Sequence, residues 1–373
     1  MRNRRTVLLA SPCTPDPLGT GWEQRAYSFL LAYCRFMDVH LWFIPTADNP
    51  DLTRARPLTT LCRSITTFLP PLVRHEQSGL KARLAAHLSS SDLVHVFRFE
   101  GFVWNIEHDC IVWDIDELPW SLRQPRPGET PRPMPDDRLE RDRASFARCV
   151  GKCRLVIGCS RLERPTDCAA FAVVPNVARR PTSAGRETAV ADRSLLFVGN
   201  LNYSPNIDGL TFFKDQVLPI LEGLVPDVEV VVVGRSPATD GARAAADRLR
   251  QDGRLRLAFD VPDCAPFYAG SAASIAPIRA GGGTRIKIIE SFANRCPVVS
   301  TSKGCEGLDV EHGRHLLIAD SPRDFAQSCA QLLRDPSLRA PIADAACGYY
   351  ELGHTQEVVD RLVMSTIGSL LPH

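Results

Sequence analysis

SIAPIRAGGGTRIKIIESFANRCPVVST, residues 274–301, decides the fold. Residues 274–278 form an apolar run that predicts a strand, and three glycines follow it, Gly281, Gly282 and Gly283. A helical period then opens with Thr284, Arg285 and Lys287 in its first turn and carries Glu290 one turn further on. Residues 297–301 read as a second strand that closes the unit. Strand, glycine turn and helix start together make an anion site, because free N–H groups and the helix dipole both point at the ligand. Lys and Arg ordinarily gather at the other end of a helix. Two of them here point to a negatively charged ligand, a diphosphate before others.

Helix periodicity sorts the residues of this turn. Ile286, Ile289, Phe292 and Ala293 share a face and are expected to meet the core. Lys287 and Glu290, three apart, share the opposite one. At the usual rise, Glu290 stands about 9 Å along the axis from Thr284. That is the span from a diphosphate to a ribose, whose two hydroxyls suit a carboxylate acceptor. A surface ion pair between Glu290 and Lys287 is the other reading.

Outward from this stretch, short apolar runs alternate with helix-period segments. Strands are predicted at 6–10, 39–44, 93–97, 111–115, 155–159 and 172–175, and again at 195–199, 228–234, 255–259, 272–278, 297–301 and 315–318. Strands apolar on both faces argue for parallel sheets covered by helices. Residues 176–193 hold turn formers and no apolar period, so the chain divides there. The expectation is a Rossmann-like α/β domain over 1–180, a linker over 181–193 and a second such domain from 194, with a ligand in the cleft between two doubly wound units. The Pro-rich segment 123–137 reads as an exposed loop.

Composition sets the bounds. A chain of 373 residues can build two full cores, and its 44% apolar and 23% charged content is that of an ordinary globular protein. A net charge of +1 gives no global reason to expect nucleic acid. The longest apolar runs are strand-length, far short of a membrane span. Thirteen cysteines without CxxC pairs read as buried thiols in a reducing cytoplasm, with no metal cluster. Contact with a membrane surface through Arg2, Arg4 and Arg5 is an open reading.

Other stretches offer candidate groups. The first strand leads into a turn holding Gly19, Thr20 and Gly21 and a helix carrying Arg25. Backbone amides there could approach a ligand, or the turn could be a plain loop. Gly199 ends the first strand of the second half, with Asn200, Asn202 and Tyr203 beyond it at the edge where open α/β sheets bind ligands. Asn206 or Asp208 could be a helix cap. His95, inside a strand, is either a core histidine or a catalytic group. Asp114, Asp116 and Glu117 could supply a base or form a solvated loop. No GxSxG, HExxH, Walker or kinase signature occurs, and no GxGxxG with a downstream acid, which disfavours hydrolases, zinc enzymes, P-loop proteins and dinucleotide oxidoreductases.

The second half, from LLFVGNLNYSPNIDGLTFFKDQVLPIL through APIRAGGGTRIKIIESFANRCPVVST to KGCEGLDVEHGRHLLIAD, resembles the nucleotide-sugar-binding domain of retaining glycosyltransferases of the GT-B fold, family 4. It is most similar to a bacterial branch with a GxGTRxKxxE-like signature. The first half resembles the family more loosely, through PDPLGTGWEQRA and WDIDELPWS. The resemblance implies two facing Rossmann-like domains, with 351–373 forming a helix that returns to the first. It also implies transfer of a sugar from a nucleotide-diphosphate sugar to a glycan, lipid-linked sugar or small molecule, without metal or other cofactor. Arg285 and Lys287 match positions that neutralise the donor diphosphate, and Glu290 matches the glutamate that binds ribose. Gly282 stands where the family's first glutamate would be, which leaves the contacts to the transferred sugar open. Glu306 and His95 are further donor-side candidates by this resemblance. A non-catalytic nucleotide-sugar-binding protein, or an epimerase, is the alternative.

Overall fold

A computed structural model describes residues 4–44, 56–67, 78–98, 100–115, 118, 136–179, 191–251 and 253–371. Its described residues form two compact units: one holds those up to 118, 136–177 and 356–371, the other those of 178–355.

The first unit contains strands β1 (Thr6–Ser11), β2 (Asp38–Phe43), β3 (Ser64–Thr67), β4 (Leu93–Phe97), β5 (Ile111–Asp114), β6 (Leu155–Gly158) and β7 (Phe171–Val173). They form a parallel sheet in the order β3-β2-β1-β4-β5-β6-β7. Helix α1 (Gly21–Cys34) follows β1, α2 (Arg56–Thr59) follows β2, and α3 (Ser78–Ser90), α4 (Glu100–Asn105) and α5 (Asp136–Lys152) follow β3, β4 and β5. Side-chain alternation divides β1 between two cores: Val7 and Leu9 join one cluster, Leu8 and Ala10 the other. Helices cover both faces, so the run Val7–Ala10 is apolar on both sides.

The second unit repeats this grammar. Strands β8 (Ala191–Val198), β9 (Glu229–Gly234), β10 (Leu255–Phe259), β11 (Ser271–Ala276), β12 (Val298–Ser300) and β13 (Leu317–Ile318) run parallel in the order β10-β9-β8-β11-β12-β13. Leu195 and Phe197 of β8 join the larger core, and Leu196 faces the other side. Helices α7 (Leu218–Leu224), α8 (Asp240–Arg250) and α11 (Pro322–Arg334) follow β8, β9 and β13, and those that matter for the site are α6 (Ser204–Phe212) directly after β8, α9 (Ala265–Ala269) before β11, and α10 (Ile286–Ala293) between β11 and β12. Strand order reverses at β8 and β11, so the turns leaving these neighbours diverge and open a place for a ligand at the C-terminal sheet edge.

Helix α12 (Pro336–Gly353) ends in the second unit, and α13 (Gln356–Gly368) belongs to the first. Val359, Val363 and Ile367 follow the i, i+4 pattern and pack in one cluster with Phe29, Leu30 and Tyr33 of α1. Each such buried side chain contributes about 1.5–3 kcal/mol. Gln356 donates to the Ser28 carbonyl at 2.9 Å, and Arg35 pairs with Asp360.

Several sequence boundaries move. β8 begins at Ala191, so residues 191–193 are strand rather than linker, and the return to the first unit starts at Gln356 rather than at 351. α5 begins at Asp136, inside the segment read as a Pro-rich loop, most of which lies outside the described residues. β3 was not anticipated: SITT is a short, half-buried edge strand and lacks an apolar run.

Candidate functional site

β11 leaves the sheet at Ala276, and the chain reaches Gly281 and Gly283 with φ of 97° and 69°. Both lie in the left-handed region, where glycine carries no steric penalty. At Gly281 there is a second reason, since a Cβ there would stand 2.7 Å from the Tyr203 hydroxyl. Arg285 is extended, with φ −87° and ψ 99°, and caps α10, which starts at Ile286. Thr284 therefore precedes the helix, and the axial spacing to Glu290 reckoned from it does not apply. The buried face is also shifted: Ile288, Ile289, Phe292 and Ala293 enter the core, while Ile286 is half-buried.

Arg285 is 8% exposed, and its guanidinium turns back on the glycine turn. It donates to the carbonyls of Gly282, Gly283 (3.0 Å) and Ala280 (3.3 Å). Those oxygens are thereby held, and the arginine's charge is fixed at the mouth of α10, adding to the positive end of the helix dipole.

Lys287 reaches to the neighbouring turn. Its ammonium donates to Oδ1 of Asn206 at 2.7 Å and lies 4.0 Å from the centre of the Phe197 ring. Phe197 is on β8 and Asn206 in the first turn of α6, so this contact joins the turns after β8 and β11. Burial pushes the Lys287 pKa well below the ordinary lysine value, and the nearby Arg285 charge adds to this, while Glu290 opposes it. Glu290 is half-buried, and its Oε2 accepts from the Tyr268 hydroxyl at 3.3 Å. The same hydroxyl lies 3.4 Å from the Lys287 carbonyl. Tyr268, on α9, is 2% exposed, and burial with Glu290's charge raises its pKa. One helix start thus presents two cations and, a turn away, a carboxylate held by a tyrosine. That arrangement can bind a diphosphate with a hydroxylated group beyond it.

Glu306, in the loop after β12, pairs with Lys303. Among the described residues no group of three His, Cys, Asp or Glu side chains is gathered to hold a metal ion. No described helix is long and apolar enough to cross a membrane.

In the first unit the candidates fare differently. His95 is a core histidine, fully buried, with Nδ1 2.7 Å from the Tyr33 hydroxyl and its ring packed 4.8 Å from that of Phe29. β4 lies mid-sheet, and the side chain is enclosed in the core of this unit. Arg25 is likewise internal, at 2% exposure. Its Nε donates to both Asp114 oxygens at 3.1 and 3.0 Å, and Nη1 donates to the Val174 carbonyl and Asn176 Oδ1, each at 2.9 Å. This pair ties α1 to β5 and to the chain beyond β7. Asp114 is therefore buried and paired, rather than a solvated or basic carboxylate. Asp116 and Glu117 lie outside the described residues. The turn at Gly19, Thr20 and Gly21 is already capped from within: the Thr20 amide donates to Oε2 of Glu23 at 2.6 Å.

Asn206, Tyr268 and Phe197 were missed as site residues. Asn206 is the third helical residue of α6, not its cap, and nothing in the APFYAG stretch distinguishes Tyr268 from a core tyrosine.

Residues 192–335 match the family model described as glycosyl transferases group 1. An uncharacterized 44.6 kDa protein in the cps region of Klebsiella pneumoniae is 27% identical over 169 residues, 44% of this chain and 44% of that protein. The match thus spans less than half of that relative's length. Among solved structures, sucrose-phosphate synthase from Thermosynechococcus elongatus superposes with a TM-score of 0.72 at 15% identity, over 98% of this chain and 99% of that one. The Anabaena protein HepE, in complex with UDP and glucose, gives 0.69 at 14%, over 97% and 99%. The fold is GT-B. In this GT-B chain the glycine turn, Lys287, Glu290 and Asn206 all lie inside the stretch matched by the glycosyltransferase model.

Proposed function

We propose that this protein is a glycosyltransferase that moves a sugar from a nucleotide-diphosphate sugar to an acceptor, with retention and without metal. The observation that carries the reading is the start of α10, where Arg285 and Lys287 stand behind a left-handed glycine turn and Glu290 follows one turn on. The glycosyl transferases group 1 match over the same residues supports it, and so does the UDP in the HepE structure.

The donor diphosphate takes the helix start, and Glu290 accepts from the two ribose hydroxyls. As the bond from the sugar's anomeric carbon to the diphosphate oxygen breaks, negative charge builds on the leaving group. Lys287, Arg285 and the α10 dipole stabilise that charge. The acceptor hydroxyl bonds to the anomeric carbon on the face the diphosphate leaves, and its proton passes to a diphosphate oxygen. No nucleophile from the protein is required. With Gly282 at the place of a glutamate, Glu306 is the remaining carboxylate candidate for the transferred sugar. The turn after β1, which exposes Leu18 and Trp22, is the candidate acceptor side.

The test is a thermal-stability series with UDP-, GDP-, ADP- and dTDP-sugars, since a ligand that binds only the folded chain raises its melting temperature. One of them should stabilise the protein and slowly release its nucleoside diphosphate without added acceptor. Stabilisation with no release would point to a non-catalytic binder, and stabilisation by none would end the reading.

A further inference from the structure

The Lys287 ammonium donates to Asn206, and the asparagine's own contacts fix where that acceptor stands. Asn206 is 6% exposed, and its Nδ2 donates to the Asn200 carbonyl at 2.8 Å. A carbonyl only accepts and an ammonium only donates, so the amide's orientation is dictated from both ends, with Oδ1 toward Lys287. Asn200 is itself held, its Oδ1 accepting from the Asn202 amide and side chain, each at 2.9 Å. Below the ammonium lies Phe197, and beside it Gly199 offers no side chain.

We infer that Asn206 is a positioning residue, whose side-chain carbonyl fixes the Lys287 ammonium where the turns after β8 and β11 meet. The choice of an amide is the chemical point. A carboxylate at this place would neutralise the lysine and compete with an anionic ligand, whereas a neutral oxygen steadies the cation and leaves its charge to act outward. The charged groups facing Lys287 are Arg285 from its own turn and Glu290 from its own helix, the latter held by Tyr268 of α9. β8 and α6 contribute Phe197 and Asn206. The catalytic consequence rests on the donor reading above, but the positioning does not.

The test measures acetylation of Lys287 by acetic anhydride across a pH series, read by peptide mass spectrometry, in the wild type, Asn206→Asp and Asn206→Ala. The near-isosteric Asn206→Asp places an opposite charge on the ammonium and should raise the labelling midpoint by about 1 pH unit or more. Asn206→Ala, which removes the acceptor, should lower it. Asn206→Asp should also raise the donor KM more than it lowers kcat, because its carboxylate competes with the diphosphate. A midpoint unmoved in Asn206→Asp, with cooperative unfolding retained, would overturn the inference. Should the wild type bind no nucleoside diphosphate while the midpoints still shift, the positioning stands and only the donor reading falls.

Discussion

Gly199 and Lys287 are close because Gly199 has no side chain: a Cβ built on it would lie 2.8 Å from Nζ of Lys287. It would also meet a Phe197 ring carbon at 2.8 Å and Asn206 Nδ2 at 2.9 Å. The lysine tip could yield, but the packed ring beside it cannot do so cheaply. Gly199→Ala should therefore lose about 1–3 kcal/mol of stability by overpacking and displace the ammonium, lowering kcat by more than about 10-fold. Urea denaturation and steady-state release of nucleoside diphosphate measure the two effects. Unchanged kinetics would show that the position of Nζ does not matter to turnover.

Lys287→Met separates catalysis from folding. Loss of a charge that stabilises a leaving group should lower kcat about 100- to 1,000-fold. Stability should change by no more than about 1–2 kcal/mol, because the lost bond to Asn206 is offset by relief of a buried charge. A variant with wild-type turnover would remove Lys287 from the mechanism.

Glu290 is assigned to the ribose, so its signature is discrimination between sugars of the nucleotide. Glu290→Gln should bind the ribonucleoside diphosphate about 10-fold more weakly, near 1.4 kcal/mol, and bind the 2′,3′-dideoxy analogue, which lacks both hydroxyls, nearly as the wild type does. Calorimetric titration of both nucleotides into both proteins reads this. Equal losses for the two would place Glu290 away from the ribose.

In the first unit the buried pair of Arg25 and Asp114 is predicted to be structural. Asp114→Asn leaves the guanidinium without its counter-charge and should cost about 3–5 kcal/mol. Arg25→Met combined with Asp114→Leu should recover much of that loss. If the double variant is as unstable as the single one, the pair's hydrogen bonds to Val174 and Asn176 matter more than its charges.

His95 makes a pH prediction. Burial, and secondarily the Arg25 charge, pushes its pKa down from 6.5 to about 3. The unfolded chain therefore takes up a proton below about pH 6.5 that the folded chain refuses. The histidine's contribution is intact above that pH, and falling pH should cost about 1.4 kcal/mol per unit down toward pH 3. Urea unfolding at neutral pH and near pH 5 should show a steeper loss in the wild type than in His95→Gln. Matching slopes would show that His95 titrates normally.

The glycine turn was legible because a strand, three glycines and a cationic helix start are all local in the chain. Residues 274–301 carry their own explanation: Gly281 needs a left-handed φ, and Lys287 and Glu290 are placed by helix periodicity alone. The strands were legible for a similar reason, since a parallel sheet covered on both faces demands continuous apolar runs, and SITT escaped notice because an edge strand does not. The sequence left His95 open between a core and a catalytic group and did not place Arg25, because the surroundings of both depend on partners far along the chain. Tyr33 lies 62 positions from His95, and Asp114 lies 89 from Arg25.

The amino-acid sequence by itself determined the two β/α units and a glycine turn leading to a helix start that carries Arg285 and Lys287. Only the tertiary structure decided what Lys287 touches. Asn206 stands 81 positions away, and it becomes a neighbour because β8 and β11 pair in the sheet and bring their turns together. Local pattern records what a segment can form, whereas a contact between two turns exists only once the sheet has aligned the strands that carry them.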